Sequence, residues 1–331
     1  MDYRAMNGVL AKEGIYTDVS TLLQGIHSPG FVFEQISELF AKGFLVDRKS
    51  FVTLAVLCLL FGAISQLILA FGENGFGQYG GTMFFICGAG ICMRLFLHCY
   101  TLVGGCLEAV CRFLTVLTPV YGMSILFADG MGAASMIYAA LMGEITVFEM
   151  LLKSVCLPCA KLLLAFHFSN ACTGQHLLKR LGRLLFDGTT CLMKGMLSLV
   201  CGFNVVQALV ALGSEAVIQN GVKKAAMLLP GIGPVSSACF GMITGVAHAL
   251  KNSIGAVGLL CVGLIFLPPL LSILGYLAAF RILEACLRPF ATDSMVTMLT
   301  GAYESILLLF KVLVYAVTFV FVSLSILTML T

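Results

Sequence analysis

Residues 252–280 run for 29 positions without a charged side chain. Residues 51–71, 195–214, 225–247 and 312–331 are also charge-free and mostly apolar. A bilayer core about 30 Å thick is crossed by roughly 20 apolar residues of helix. Peptide groups in lipid must be satisfied within the chain, so a spanning segment of this kind is helical. Several such runs in 331 residues predict an all-α, polytopic transmembrane bundle. Composition agrees: only 11% of residues are charged, against about 25% in a soluble domain.

The same composition excludes other classes. A net charge of +3, spread along the chain, forms no basic block for nucleic acid. Residues 1–50 are too few for a sizeable core. The first ten residues are polar, without the apolar stretch of a signal peptide. Most of the 14 cysteines sit inside apolar runs, where Cys packs as a small hydrophobe. Cys156-Leu157-Pro158-Cys159 has dithiol spacing but lacks the strand–helix context of a redox motif, so packing is expected. His98, His167 and His248 stand singly, without a second ligand at metal-site spacing. No phosphate loop, zinc-protease or serine-hydrolase motif occurs. No enzyme activity, cofactor or metal is expected, and energy for transport must come from a partner or a gradient.

Eight spans are expected, at 51–71, 80–103, 113–128, 131–171, 188–212, 225–249, 253–280 and 303–330. Prolines in the longer ones raise the count to ten if each break is a hairpin. Two amphipathic segments flank them. In 33–45, Phe33, Ile36, Leu39, Phe40 and Phe44 share one helical face. In 173–187, Leu177, Leu181, Leu184 and Leu185 oppose His176, Lys179, Arg180 and Arg183. Both patterns predict helices lying in the membrane surface. The basic face of the second predicts a cytoplasmic location.

Proline spacing suggests a duplication. Pro119, Pro158 and Lys194 recur as Pro234, Pro268 and Lys311, at offsets of 115, 110 and 117 residues. Near-constant offsets are the trace that duplicated membrane units leave, and chance is the competing reading. The division is then an N-terminal segment 1–50, two spans in 51–112, and repeat units 113–213 and 214–331. Pro119, Pro158, Pro234 and Pro268 become candidates for a transport path or helix breaks, with Pro158 and Pro268 expected to approach each other near the midplane. Charges in or beside apolar segments are Arg94, Glu108, Glu144, Glu149, Lys153, Lys161, Lys194 and Lys311. Glu144 is the most isolated and the candidate acid for ion coupling. Glu149 and Lys153 are spaced to pair, while Lys161 and Lys194 are placed to snorkel. Gly241 and Gly245 form a GxxxG, a candidate for close helix packing.

The stretch Lys224-Ala225-Ala226, Pro230-Gly231-Ile232-Gly233-Pro234-Val235 and 250–258 (LKNSIGAVG) resembles the stage III sporulation protein AE family. Leu267-Pro268 and Leu287-Arg288-Pro289 fit the same pattern, and the resemblance covers about residues 30–331. It implies an integral membrane protein of endospore formers, encoded with other sporulation proteins. Together these build a secretion-like channel complex linking mother cell and forespore. It implies partners: ring-forming membrane proteins, a cytoplasmic secretion-type ATPase and the lipid bilayer. The implied location is the mother-cell membrane around the forespore. It also implies a signal peptide and a longer polar N-terminal region, which would put residues 1–50 outside the cytosol, whereas Lys42, Arg48 and Lys49 favour the inside. The rival expectation is a free-standing secondary transporter for a small solute, which would depend on Glu144. A complex subunit would tolerate Glu144→Gln.

Overall fold

The computed structural model describes residues 76–129, 131–173, 176–227, 233–288 and 293–329, with Val52 and Val56 as isolated helical positions. The surface helix expected at 33–45 and, apart from those two positions, the span expected at 51–71 lie outside the described residues. Among the described residues every element is helical: α1 Phe76–Asp129, α2 Met131–Leu151, a π turn Leu152–Cys156, α3 Leu157–Thr173, α4 His176–Met227, α5 Gly233–Leu287 and α6 Asp293–Met329. Four of them contain a stretch long and apolar enough to cross a membrane: 85–119, 178–203, 257–286 and 294–324.

Among the described residues the helices are longer than the hydropathy pattern predicts. The ends expected between 103 and 113 and between 249 and 253 are absent. Each pair of apolar runs is joined into one helix, of 54 residues in α1 and 55 in α5. In α1 the joining segment carries Glu108 and Arg112, which pair across one turn on the helix surface. A polar interruption satisfied by an i,i+4 partner gives the backbone no reason to leave the helix. The surface helix expected at 173–187 is likewise not a separate element, because residues 176–187 are the first turns of α4. Thr189 and Thr190 donate their hydroxyls to the carbonyls of Leu185 and Phe186, at 2.7 and 2.8 Å. The polar residues around Gly188 thus bond back into the helix instead of ending it.

Among the described residues the prolines are carried within helices and make no hairpins. Helix α1 runs through Pro119 and α5 through Pro268 and Pro269. A helical proline leaves the carbonyl four residues earlier without its N–H donor. For Pro269 that carbonyl belongs to Ile265, and the Cys106 thiol of α1 reaches it at 3.9 Å. Ser272 adds a hydroxyl donor to the Pro268 carbonyl at 2.9 Å. At Pro158 the chain widens first. The Leu157 N–H bonds Leu152 O, five residues back, so one π turn admits the proline as the second residue of α3.

Contacts across the bundle fix the helix directions. Leu117 and His98 of α1 meet Gly258 and Tyr276 of α5, so these two helices are antiparallel. Gly263 and Glu284 of α5 meet Phe321 and Thr300 of α6, again antiparallel. Phe148 of α2 stacks on Phe319, with centroids 4.2 Å apart, and His167 of α3 lies against Gly301. The α2–α3 leg therefore runs opposite to α6. The directions alternate along the chain, with α6 at the centre of the core: Ala302, Ile306, Leu309, Val312, Leu313 and Ala316 are fully buried.

Candidate functional site: a charged seam between α3, α4 and α6

His167 is the pivot of the seam. It is 8% exposed, and its Nε2 lies 3.1 Å from Oε2 of Glu304 on α6. The contact is close in distance but off the line of a good hydrogen bond. Gly301 makes room for the imidazole, while Gly182 only borders it at ordinary contact distance. A Cβ on Gly301 would lie 2.3 Å from His167 Cβ, and one on Gly182 of α4 would lie 3.8 Å from the ring. The first distance is a clash that no side chain survives unless the helices separate. The buried Ser305 hydroxyl donates back to the Gly301 carbonyl at 2.8 Å.

Charge surrounds this pair. Arg183 and Lys179 of α4 lie within electrostatic reach of Glu304. On the α5 side, Arg281 donates to Glu284 at 2.8 Å and sits over the Tyr303 ring at 4.9 Å. The Thr300 hydroxyl, 2.9 Å from the Val296 carbonyl of its own helix, also lies 3.2 Å from the other Glu284 oxygen and so brings α5 against α6.

Farther along the same seam, Lys311 of α6 stands over the Phe186 ring of α4 at 4.0 Å. Asp187 and Lys194 of α4 are within electrostatic reach of its ammonium. Lys311 falls near the middle of the apolar stretch 294–324, and Lys194 lies inside 178–203. Such groups at membrane depth are expensive unless a partner, a cavity or a headgroup receives them. The seam can hold charge of both signs, and its chemistry is ion pairing.

The structure distributes the sequence-derived candidates unevenly. Lys179 and Arg183 join the seam, and Arg180 lies beside them, exposed on α4. Lys194 and Lys311, matched in the proposed repeat, lie within electrostatic reach of each other here. Glu149 and Lys153 pair as expected, at 2.7 Å. Lys161 rests over Tyr100 at 3.9 Å. Glu144 is buried on α2, far from His167 along the α2–α3 leg. Pro158 and Pro268 sit on two helices that both pack on α6, whereas Pro119 lies deep inside α1 and Pro234 opens α5. Gly241 and Gly245 lie in the helical backbone of α5, and their surroundings are outside the described residues.

Sequence reading missed Glu304, Gly301 and Glu284. The available signal was a lone carboxylate in an apolar helix with small residues at positions 301, 302 and 305.

No curated protein and no solved structure matches the chain. A family model, stage III sporulation protein AE, matches residues 19–331, and so takes in the seam, the proline-bearing helices and every described element. With its apolar helices and this match over nearly the whole length, the chain belongs to the stage III sporulation protein AE family.

Proposed function

We propose that this protein is an integral membrane subunit of a sporulation-specific, secretion-like channel or transport complex. The complex links mother cell and forespore and serves late forespore development. The family match over residues 19–331 carries this reading. The exposed part of the charged seam supports it. Asp187 and Lys194 are both exposed on α4 within an apolar stretch. A charge in the middle of a membrane helix costs roughly 2.5–3.5 kcal/mol on insertion scales. A neighbouring subunit with polar groups at the same depth offsets that cost, whereas lipid does not. The chain has no catalytic role of its own in this reading. Energy comes from a cytoplasmic secretion-type ATPase, and ring-forming membrane proteins complete the conduit in the mother-cell membrane.

Affinity purification of the tagged chain from sporulating cells in mild detergent tests the proposal. The expected result is co-purification with the ATPase and the ring-forming subunits, and loss of spores when the gene is deleted. A chain that purifies alone, and by itself moves a solute into liposomes, would overturn it.

A further inference from the structure

Many exposed charges of the bundle sort into two levels, while Lys161, Asp187 and Lys194 lie between them. Helical rise is about 1.5 Å per residue, so contacts that tie the helices together set the depth of every other residue. The His98–Tyr276 contact links α1 to α5. Arg94 lies four residues below His98, and Arg281 lies five residues beyond Tyr276 on the antiparallel helix. Those offsets, about 6 and 7.5 Å, bring the two guanidiniums to one level. Arg281 packs on Tyr303, and Lys179 and Arg183 act on the adjacent Glu304. Arg180 lies between them in sequence. Arg94, Lys179, Arg180, Arg183 and Arg281 thus form one level on three helices, and all five are exposed. The carboxylates facing this level are Glu284 and Glu304. Below this level the sequence adds one charge of each sign, Arg288 and Asp293.

The second level is different. Glu108 pairs with Arg112 on α1, Glu149 pairs with Lys153 on α2, and Lys153 acts on Glu108. Its cations and carboxylates balance. On α1 the two levels are 14 to 18 residues apart, or about 21–27 Å along the helix. A bilayer hydrocarbon core measures about 30 Å. Between the levels, Leu97, Leu162 and Leu274 are exposed, together with the charges Lys161, Asp187 and Lys194.

We infer that the basic level is a collar that binds anionic phospholipid headgroups of the cytoplasmic leaflet. Three observations select this occupant. The collar exceeds its own carboxylates in charge, its members point outward from three helices, and a neutral level stands a bilayer's thickness away. Excess Lys and Arg at a membrane boundary mark the cytoplasmic side. Each basic side chain near an anionic surface strengthens attachment, within a Debye length. The inference is independent of the role in sporulation.

The test uses the full-length protein in neutral detergent, titrated separately with phosphatidylglycerol, phosphatidylcholine and inorganic phosphate. Bound lipid is counted by native mass spectrometry, and the unfolding midpoint is followed by heating. Phosphatidylglycerol should bind and raise the midpoint, while phosphatidylcholine and phosphate should not. Substituting Arg94, Lys179, Arg180, Arg183 and Arg281 together by Gln should weaken phosphatidylglycerol binding by roughly tenfold or more. Arg112→Gln with Lys153→Gln, at the neutral level, should leave it unchanged. If the fivefold variant does not fold, Arg180→Gln alone should weaken binding, and added salt should weaken it in the wild type. Equal binding of phosphatidylcholine, a response to phosphate alone, or an equal loss from the neutral-level variant would overturn the collar. So would labelling of a Cys at position 180, in a background without reactive thiols, from the external face of intact cells.

Discussion

Helices α4 and α6 run side by side in the same direction and have opposite surroundings. The apolar stretch of α6 is 50% buried and that of α4 only 22%. In a bilayer an exposed helix is expected to be the more apolar one, since lipid tails offer nothing to a polar group. Here the order is reversed. Helix α4 carries Lys179, Arg180, Arg183, Asp187 and Lys194 on exposed positions, while α6 buries an almost continuous aliphatic face. Among the described residues, α6 is therefore covered on its core face, whereas α4 is covered only at its inner face. In the proposed reading, its outer face meets headgroups at one end and another protein deeper down.

The comparison breaks most readily at the glycines. Gly301→Leu should force α3 from α6 and cost several kcal/mol, above the usual 1–3 kcal/mol of overpacking, because backbone-adjacent atoms of His167 are in the way. Gly195→Leu on α4, where nothing lies within 4 Å, should be near neutral. Unfolding midpoints of the two purified variants decide this. Equal effects would mean that the helix contacts are wrongly assigned.

The core of α6 can be probed at its other end. Phe319→Ala should cost about 3–5 kcal/mol through loss of the stack on Phe148, measured by denaturant unfolding in detergent. A smaller cost is expected for exposed Leu199→Ala on α4. If Leu199→Ala proves as harmful, α4 is buried by more of this chain than the described residues include.

Lys194→Leu sharpens the outer face. It should leave the unfolding midpoint of the isolated chain within roughly 0.5 kcal/mol of wild type, as exposed substitutions do. It should nevertheless reduce recovery of partner subunits in pull-downs. Unchanged recovery would assign Lys194 to snorkelling toward headgroups.

The His167–Glu304 pair should be modest. Glu304 is 41% exposed, so solvent screens it. A double-mutant cycle with His167→Gln and Glu304→Gln is expected to give about 1 kcal/mol of coupling or less. The smallest effect belongs to the cysteines. Cys156 is buried at the π turn and Cys159 is half-buried. Replacing both by Ala should leave spore yield near wild type, and a severe defect at normal protein abundance would revive a redox role.

Local signals explain what could be read in advance. Charge-free runs announced membrane helices because charge in lipid is costly wherever the helix lies. The Glu149–Lys153 pair was visible because both partners sit on one helix turn. Helix ends were misread where Glu108 pairs with Arg112, since hydropathy registers their polarity and ignores their mutual satisfaction. Pro268 read as a break because the nearby Ile265 carbonyl, which Pro269 leaves without a donor, is rescued by Cys106, 159 residues away in sequence.

The sequence by itself determined that this is a helical membrane protein of a sporulation family, with a basic segment at 176–183. Those properties are sums over local residues. Only the tertiary structure decided that His167 meets Glu304, that Gly301 must lack a side chain, and that Arg94 and Arg281 share one depth with that basic segment. Each of these depends on the register between helices far apart in the chain. That register is set by packing, which leaves no periodic mark in the sequence.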